Sequence, residues 1–207
     1  MHFLLDGMLG KLARWLRMIG YEATYLNDCE DSELLSLAKH DSLTLLTSDQ
    51  ELFRTAIARG IECFLVEGRT EAERLAALSD RYDLDLRIDT TISRCPVCGS
   101  PLKEVAKNDV KDSVPPATFK VYQTFWVCSN PECRKVYWQG SHWDKIEKTL
   151  DTARKILDSK RSARTRGGKE QTAQSRGRHS TSATGTQSNH ELPSKKPSDH
   201  QTSAGHL

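Results

Sequence analysis

The 207 residues predict an α/β fold: a parallel sheet flanked by helices, then a small β-rich unit, then a disordered tail. Three observations carry that expectation. Short apolar runs alternate with helical segments of about ten residues through residue 88, the pattern of parallel strands joined by crossover helices. Two cysteine pairs then open and close a segment of different character. Finally, residues 159–207 contain no aromatic residue, no cysteine and only six apolar residues in 49. Such a stretch cannot bury enough surface to offset its chain entropy.

Each element has its own signal. His2 to Leu5 is an apolar run ending at Asp6-Gly7. Met8, Leu9, Leu12, Trp15, Leu16 and Ile19 recur at helical spacing, with Gly20 as the stop. Glu22 to Leu26 is the second strand. A helix from Ser32 to His40 follows, with Asp31 as its expected N-cap. Leu43 to Thr47 is continuously apolar, as a strand covered on both faces should be. Leu52, Phe53, Ala56 and Ile57 mark a short helix capped by Gly60, and Ile61 to Val66 the fourth strand. Thr70-x-x-Glu73 is a capping box opening a helix with Leu75, Leu78 and Tyr82. Beyond Ile88 the segment from Phe119 to Val127 alternates. His142 to Leu157 reads as a helix with Trp143, Ile146, Leu150, Ala153 and Leu157 on one face. The expected domains are 1–92, 93–158 with its closing helix, and the basic tail 159–207.

The formal charge of +2 conceals three unlike parts: −6 over residues 1–94, +2 over 95–158 and +6 over 159–207. No apolar run is long enough to span a membrane. The first residues lack a signal-peptide pattern, so a cytoplasmic location is the expectation, and there six cysteines favour metal or free thiols over disulfides.

Cys95-x2-Cys98 and Cys128-x4-Cys133 stand 29 residues apart. Zinc takes four soft ligands in a tetrahedron, and a Cys-x2-Cys-Gly turn is a suitable knuckle, so the pattern predicts a zinc ribbon with these four thiolates as structural ligands. A redox dithiol is the competing reading. That motif belongs at a helix start within an α/β unit, which Cys95 does not occupy. Cys63, in an apolar strand, is expected to be inert.

Three predicted strands end in acids: Asp6 after the first, Asp28, Glu30 and Asp31 after the second, and Asp49 after the third. In an open parallel sheet these ends share one edge, where ligands bind. Gathered carboxylates suit Mg²⁺ or Mn²⁺ and hence phosphodiester hydrolysis. The competing reading is that they are turn formers and helix caps. Leu4 occupies the place where a haloacid-dehalogenase-like phosphatase needs its nucleophilic aspartate, and Gly7-x-x-Gly10-Lys11 is not a phosphate-binding loop.

Phe3-Leu-Leu-Asp6-Gly-Met-Leu-Gly-Lys-Leu-Ala-Arg-Trp-Leu-Arg17, followed by Gly20-Tyr21, resembles the opening of the Mut-seven C-terminal RNase domain family. Leu45-Leu-Thr47-Ser-Asp49 resembles its Leu-Leu-Thr-x-Asp motif, and Tyr137 to Trp143 the segment closing its zinc ribbon. The resemblance covers residues 1 to about 150. It implies a PIN-like sheet and metal-dependent RNase activity on RNA, with Asp6, Asp31 and Asp49 as catalytic acids holding Mg²⁺ or Mn²⁺ and Asp28 as an additional one. Ser48 departs from the Arg the family commonly has there. It also directs Lys11, Arg14 and Arg17, otherwise readable as a solvated helix face, towards RNA contact. The aromatics Phe119, Tyr122, Phe125, Trp126, Tyr137, Trp138 and Trp143 are expected to pack a small core rather than stack on bases. The alternative function is a nonenzymatic RNA- or ribosome-binding adaptor whose acidic site is vestigial.

Overall fold

The structure, a computed structural model, describes residues 1–176, with side chains through residue 164. Met1–Arg166 forms one compact unit. Strands β1 (His2–Leu5), β2 (Glu22–Tyr25), β3 (Thr44–Thr47) and β4 (Cys63–Leu65) form a parallel sheet in the order β2-β1-β3-β4. Helices α1 (Gly10–Met18), α2 (Asp31–His40), α3 (Gln50–Ala58) and α4 (Glu71–Tyr82) alternate with them. The strand order changes direction between β1 and β3, so the crevice of an α/β sheet lies at their carboxyl ends.

Alternation along each strand divides the core. Phe3 and Leu5 face one side, packed with Leu12 and Leu16 of α1 and Leu75 and Leu78 of α4. Leu4 and Leu45 face the other, packed with Leu34, Leu35 and Ala38 of α2 and Leu52 and Ala56 of α3. The helix expected to begin at Met8 starts with a 3-10 turn at Gly7–Leu9 before α1. Gly20 ends it with a φ of +95°, and a Cβ there would meet the Ile92 side chain at 2.8 Å. The Thr70–Glu73 capping box is present on α4. Asp31 does not cap α2, because the capping position belongs to Glu30 and no side chain fills it. Asp31 is the first helical residue, where its charge complements the helix dipole.

The second sheet is antiparallel, in the order β5-β6-β7: β5 (Leu102–Val105), β6 (Phe125–Cys128) and β7 (Val136–Tyr137). The expected alternating run Phe119 to Val127 is split in two. Pro115-Pro116 presets helical backbone and starts α5 (Pro116–Val121), and the strand begins only at Phe125. Phe125, Val110 and Val114 are the buried centre of this small unit, with Phe119, Tyr122 and Trp138 against them.

Helix α6 (Trp143–Arg176) changes two expectations. Its apolar face does not close the ribbon core. Leu150, Ala153 and Leu157 join the core of the parallel sheet with Phe3, Leu5 and Leu12. The chain therefore leaves the α/β unit, builds the ribbon, and returns to complete the first core. The tail expected to be disordered from residue 159 is helical as far as Arg176. The first turns past that boundary are tied down by Arg161 to Asp83 at 2.9 Å and Arg164 to Asp80 at 2.6 Å, beside the end of α4. The rest of the expected tail lies outside the described residues. No helix among the described residues is long and apolar enough to cross a membrane.

Candidate active site

Asp6 lies one residue past β1, at the switch point, and is only 5% exposed. A carboxylate buried beside an all-apolar strand end needs donors, and it has them. The Met8 N–H donates to Oδ1 at 2.9 Å, the Thr47 hydroxyl donates to Oδ2, and the Ser48 N–H reaches the same oxygen at 3.3 Å. Thr47 is fully buried at the end of β3, and its Oγ1 also accepts the Asp49 N–H at 2.9 Å. One threonine thus links the two acids. Asp49 is exposed and caps α3: its Oδ1 accepts the Glu51 N–H at 2.6 Å and the Leu52 N–H at 3.0 Å. The capping reading holds for Asp49 Oδ1, and no described residue donates a hydrogen bond to Oδ2.

The remaining acids are looser. Asp28, on the β2–α2 connection, and Asp31, at the start of α2, are both exposed. Asp28 adopts φ +58° and accepts from Asn27 Nδ2 at 2.7 Å. Asn27 belongs to the same edge: the Tyr25 hydroxyl joins its Oδ1 (3.2 Å) to the Gly7 carbonyl (3.0 Å). Among the described residues, Asp6, Asp31 and Asp49 do not form a group of three ligand atoms within 4.8 Å; the four cysteines do. Helix α4 also starts beyond the carboxyl end of β4, and its first residue, Glu71, holds Arg74 through Oε1 at 3.3 Å while Oε2 is buried with no partner.

Thr47 and Glu71 are the residues that sequence reasoning passed over. Thr47 was visible as the threonine between the Leu45-Leu46 pair and Asp49. Glu71 opens α4 directly after the Thr70 cap.

Lys11 and Arg14 are exposed on α1, as RNA contacts would require. Arg17 is not: it is 6% exposed, which corrects its expected place in that stripe. It stands eight residues after Leu9, on the apolar face of α1, and its guanidinium is consumed by carbonyls. Nε donates to Ala23 O at 2.8 Å, and Nη1 to Pro96 O and Val97 O at 3.1 and 2.9 Å. Desolvation lowers its pKa, opposed by the thiols of Cys98 and Cys95.

Those last carbonyls lie inside the first cysteine knuckle. The Gly99 N–H closes it on Cys95 O at 2.8 Å, with Gly99 at φ +80° and a would-be Cβ 3.2 Å from Arg17 Nε. Cys128 ends β6, and the turn beyond it brings Cys133 back. The Cys98 and Cys128 sulfurs are 3.3 Å apart, those of Cys95 and Cys133 3.7 Å, and the Tyr137 hydroxyl lies 3.0 Å from Cys95 Sγ. Tetrahedral thiolates at about 2.3 Å from zinc stand roughly 3.8 Å apart, so the cluster could hold a metal such as zinc with little movement. Desolvation opposes ionisation of Cys98, but hydrogen bonds from the Ser100 hydroxyl and N–H and from neighbouring thiols outweigh it, lowering the thiol to about 6. Cys63 behaves as expected of a core thiol, pushed up to about 12 chiefly by burial.

The acids at the switch point and the cysteine knuckles occur in one chain whose residues 1–150 match the Mut7-C RNAse domain. The chain belongs to that family. No curated protein and no solved structure matches it. Membership of the Mut7-C RNAse domain family gives a nuclease-type function its support and makes RNA the implied substrate.

Proposed function

We propose that this Mut7-C protein is a metal-dependent ribonuclease hydrolysing RNA phosphodiester bonds at the carboxyl edge of β1 and β3, with one structural zinc in its ribbon. The observation that carries the proposal is the Asp6–Thr47–Asp49 linkage at the switch point of a chain matching an RNase domain. The side-chain donors of Asp6, Thr47 and Asp49 are all oxygens, which fits Mg²⁺ or Mn²⁺. Mg²⁺ needs only one or two protein carboxylates, with waters and substrate phosphate as its other ligands, so a three-acid cage is not required.

Asp6 and Asp49 would hold the ion, with Asp31 and Asp28 the further acids of the edge. When bound, the ion supplies a more acidic water and charge for the phosphoryl oxygens. The chain's own residues do the positioning. Thr47 fixes the Asp6 carboxylate by donating to Oδ2 and fixes the Asp49 backbone by accepting its N–H. The α3 N-terminus holds Asp49 Oδ1 in place. Lys11 and Arg14 offer cations to the phosphate backbone beside an otherwise acidic domain.

The test is cleavage of single-stranded RNA by purified protein in Mg²⁺ or Mn²⁺. Asp6→Asn is expected to lower the rate at least about a hundredfold, the scale of a lost charge-stabilising ligand. Equal rates for wild type, Asp6→Asn and Asp49→Asn would sink the assignment. One observation favours a second reading, the RNA- or ribosome-binding adaptor: Asp6 is already satisfied by three protein donors. RNA binding with no hydrolysis in either metal would select it.

A further inference from the structure

We infer that the cleft between the ribbon sheet and the start of α6 binds one unpaired nucleobase of an RNA strand; this rests on the ribonuclease reading and names a subsite for its substrate. The two faces of the ribbon sheet differ. Phe125 and Val127 face the small core with α5. Trp126, one residue out of phase, lines a largely apolar cleft of about 110 Å³ together with its cross-strand neighbour Tyr137, and with Trp138, Trp143, Met18 and Arg94. That volume is well below the several hundred Å³ of a drug-sized pocket and suits a single flat ring system.

Trp126, Tyr137 and Trp143 join none of the three apolar cores, whereas Phe119, Tyr122 and Phe125 do, so core packing leaves them unused. No described residue accepts a hydrogen bond from the indole N–H of Trp126, Trp138 or Trp143, and none of these groups is buried. The cleft therefore offers aromatic faces in an apolar lining, which match the flat ring of an unpaired base.

Helix α1 joins the cleft to the acidic edge. It begins four residues after Asp6 and ends at Met18, which lines the cleft. Lys11, Arg14 and Met18 lie on one stripe at spacings of three and four, and both cations are exposed. Nine residues rise about 13 Å, so a strand with one phosphate at Asp6 can follow that stripe and place a base a few nucleotides away in the cleft. A phosphate track ending in a stacking platform is the pattern of single-strand binders.

The test uses full-length, zinc-loaded Asp6→Asn protein and a short single-stranded RNA, so that binding is read without cleavage. Trp143→Ala and, separately, Trp126→Leu are expected to weaken binding at least about fivefold, the lower scale of one base stack. Trp143→Phe should retain most of it, and an oligonucleotide with one abasic site should bind wild type as weakly as intact RNA binds Trp143→Ala. Zinc content and thermal midpoint establish that each variant is folded. Unchanged affinity in both folded variants, or equal affinity for duplex RNA, overturns the subsite. So does a cleft filled by a proline-rich peptide in preference to RNA. Asp6-dependent cleavage with tryptophan-independent binding rejects the subsite and keeps the nuclease. Tryptophan-dependent binding by an intact Asp6 protein that cleaves nothing keeps the subsite and rejects the nuclease.

Discussion

The cysteine cluster and the acidic edge are both built where chain turns leave a sheet, yet as candidate metal sites they are arranged differently. Four sulfurs already lie within 4.8 Å of one another, held by knuckle backbones and by Arg17. The acids stand apart, with Asp6 and Asp49 anchored by hydrogen bonds and Thr47 as the element they share. The contrast follows from ligand chemistry. A structural soft site is complete within the protein, and its metal free energy is folding free energy. A hard-cation site draws ligands from water and substrate, so its carboxylates need placement more than convergence. The first site should therefore be read in stability and the second in turnover.

The largest effect should come from the sulfurs. Zinc sites of small domains contribute on the order of 10 kcal/mol or more. Chelation or Cys128→Ser is expected to abolish stoichiometric zinc and melt the ribbon, seen as lost cooperativity in thermal unfolding. Four thiols freely titratable in fully native protein would break the comparison at its first term. Arg17→Met comes next. It strands three carbonyls, those of Ala23, Pro96 and Val97, and should cost roughly 3 kcal/mol by urea denaturation while weakening zinc retention. Thr47→Val keeps the volume but removes the donor to Asp6 and the acceptor for Asp49, so about 2 kcal/mol and most turnover should be lost together. Turnover unaffected by that change would separate Thr47 from the acids. The smallest effect is Arg164→Ala. Its pair with Asp80 is a surface contact on a 69% exposed arginine, and less than about 1 kcal/mol is expected in thermal unfolding.

Much of this was legible in the sequence because hydrophobic period reports burial directly. All four parallel strands, the Thr70 capping box and the four-cysteine cluster follow from local pattern alone. Arg17 was misread by its charge, although its i+8 relation to Leu9 already put it on the buried face. What local pattern cannot report is which core an apolar stripe joins. Leu150, Ala153 and Leu157 read as a helix face, but their partner, an earlier core whose Ile88 lies 62 residues before Leu150, is fixed only by tertiary packing. The loop acids are undetermined for a related reason: a turn residue obeys local backbone preferences whether or not it binds an ion.

The return of α6 to the first core gives the ribbon a role in the chain's entropy. Without it, the residues between Ile88 and Trp143 are a long free tether, and closing a longer loop costs more of the chain's freedom. A metal clip joining Cys95 to Cys133 shortens that tether before Leu150 seeks its place beside Phe3. Zinc on the ribbon would then quicken the assembly of a sheet that contains none of its ligands.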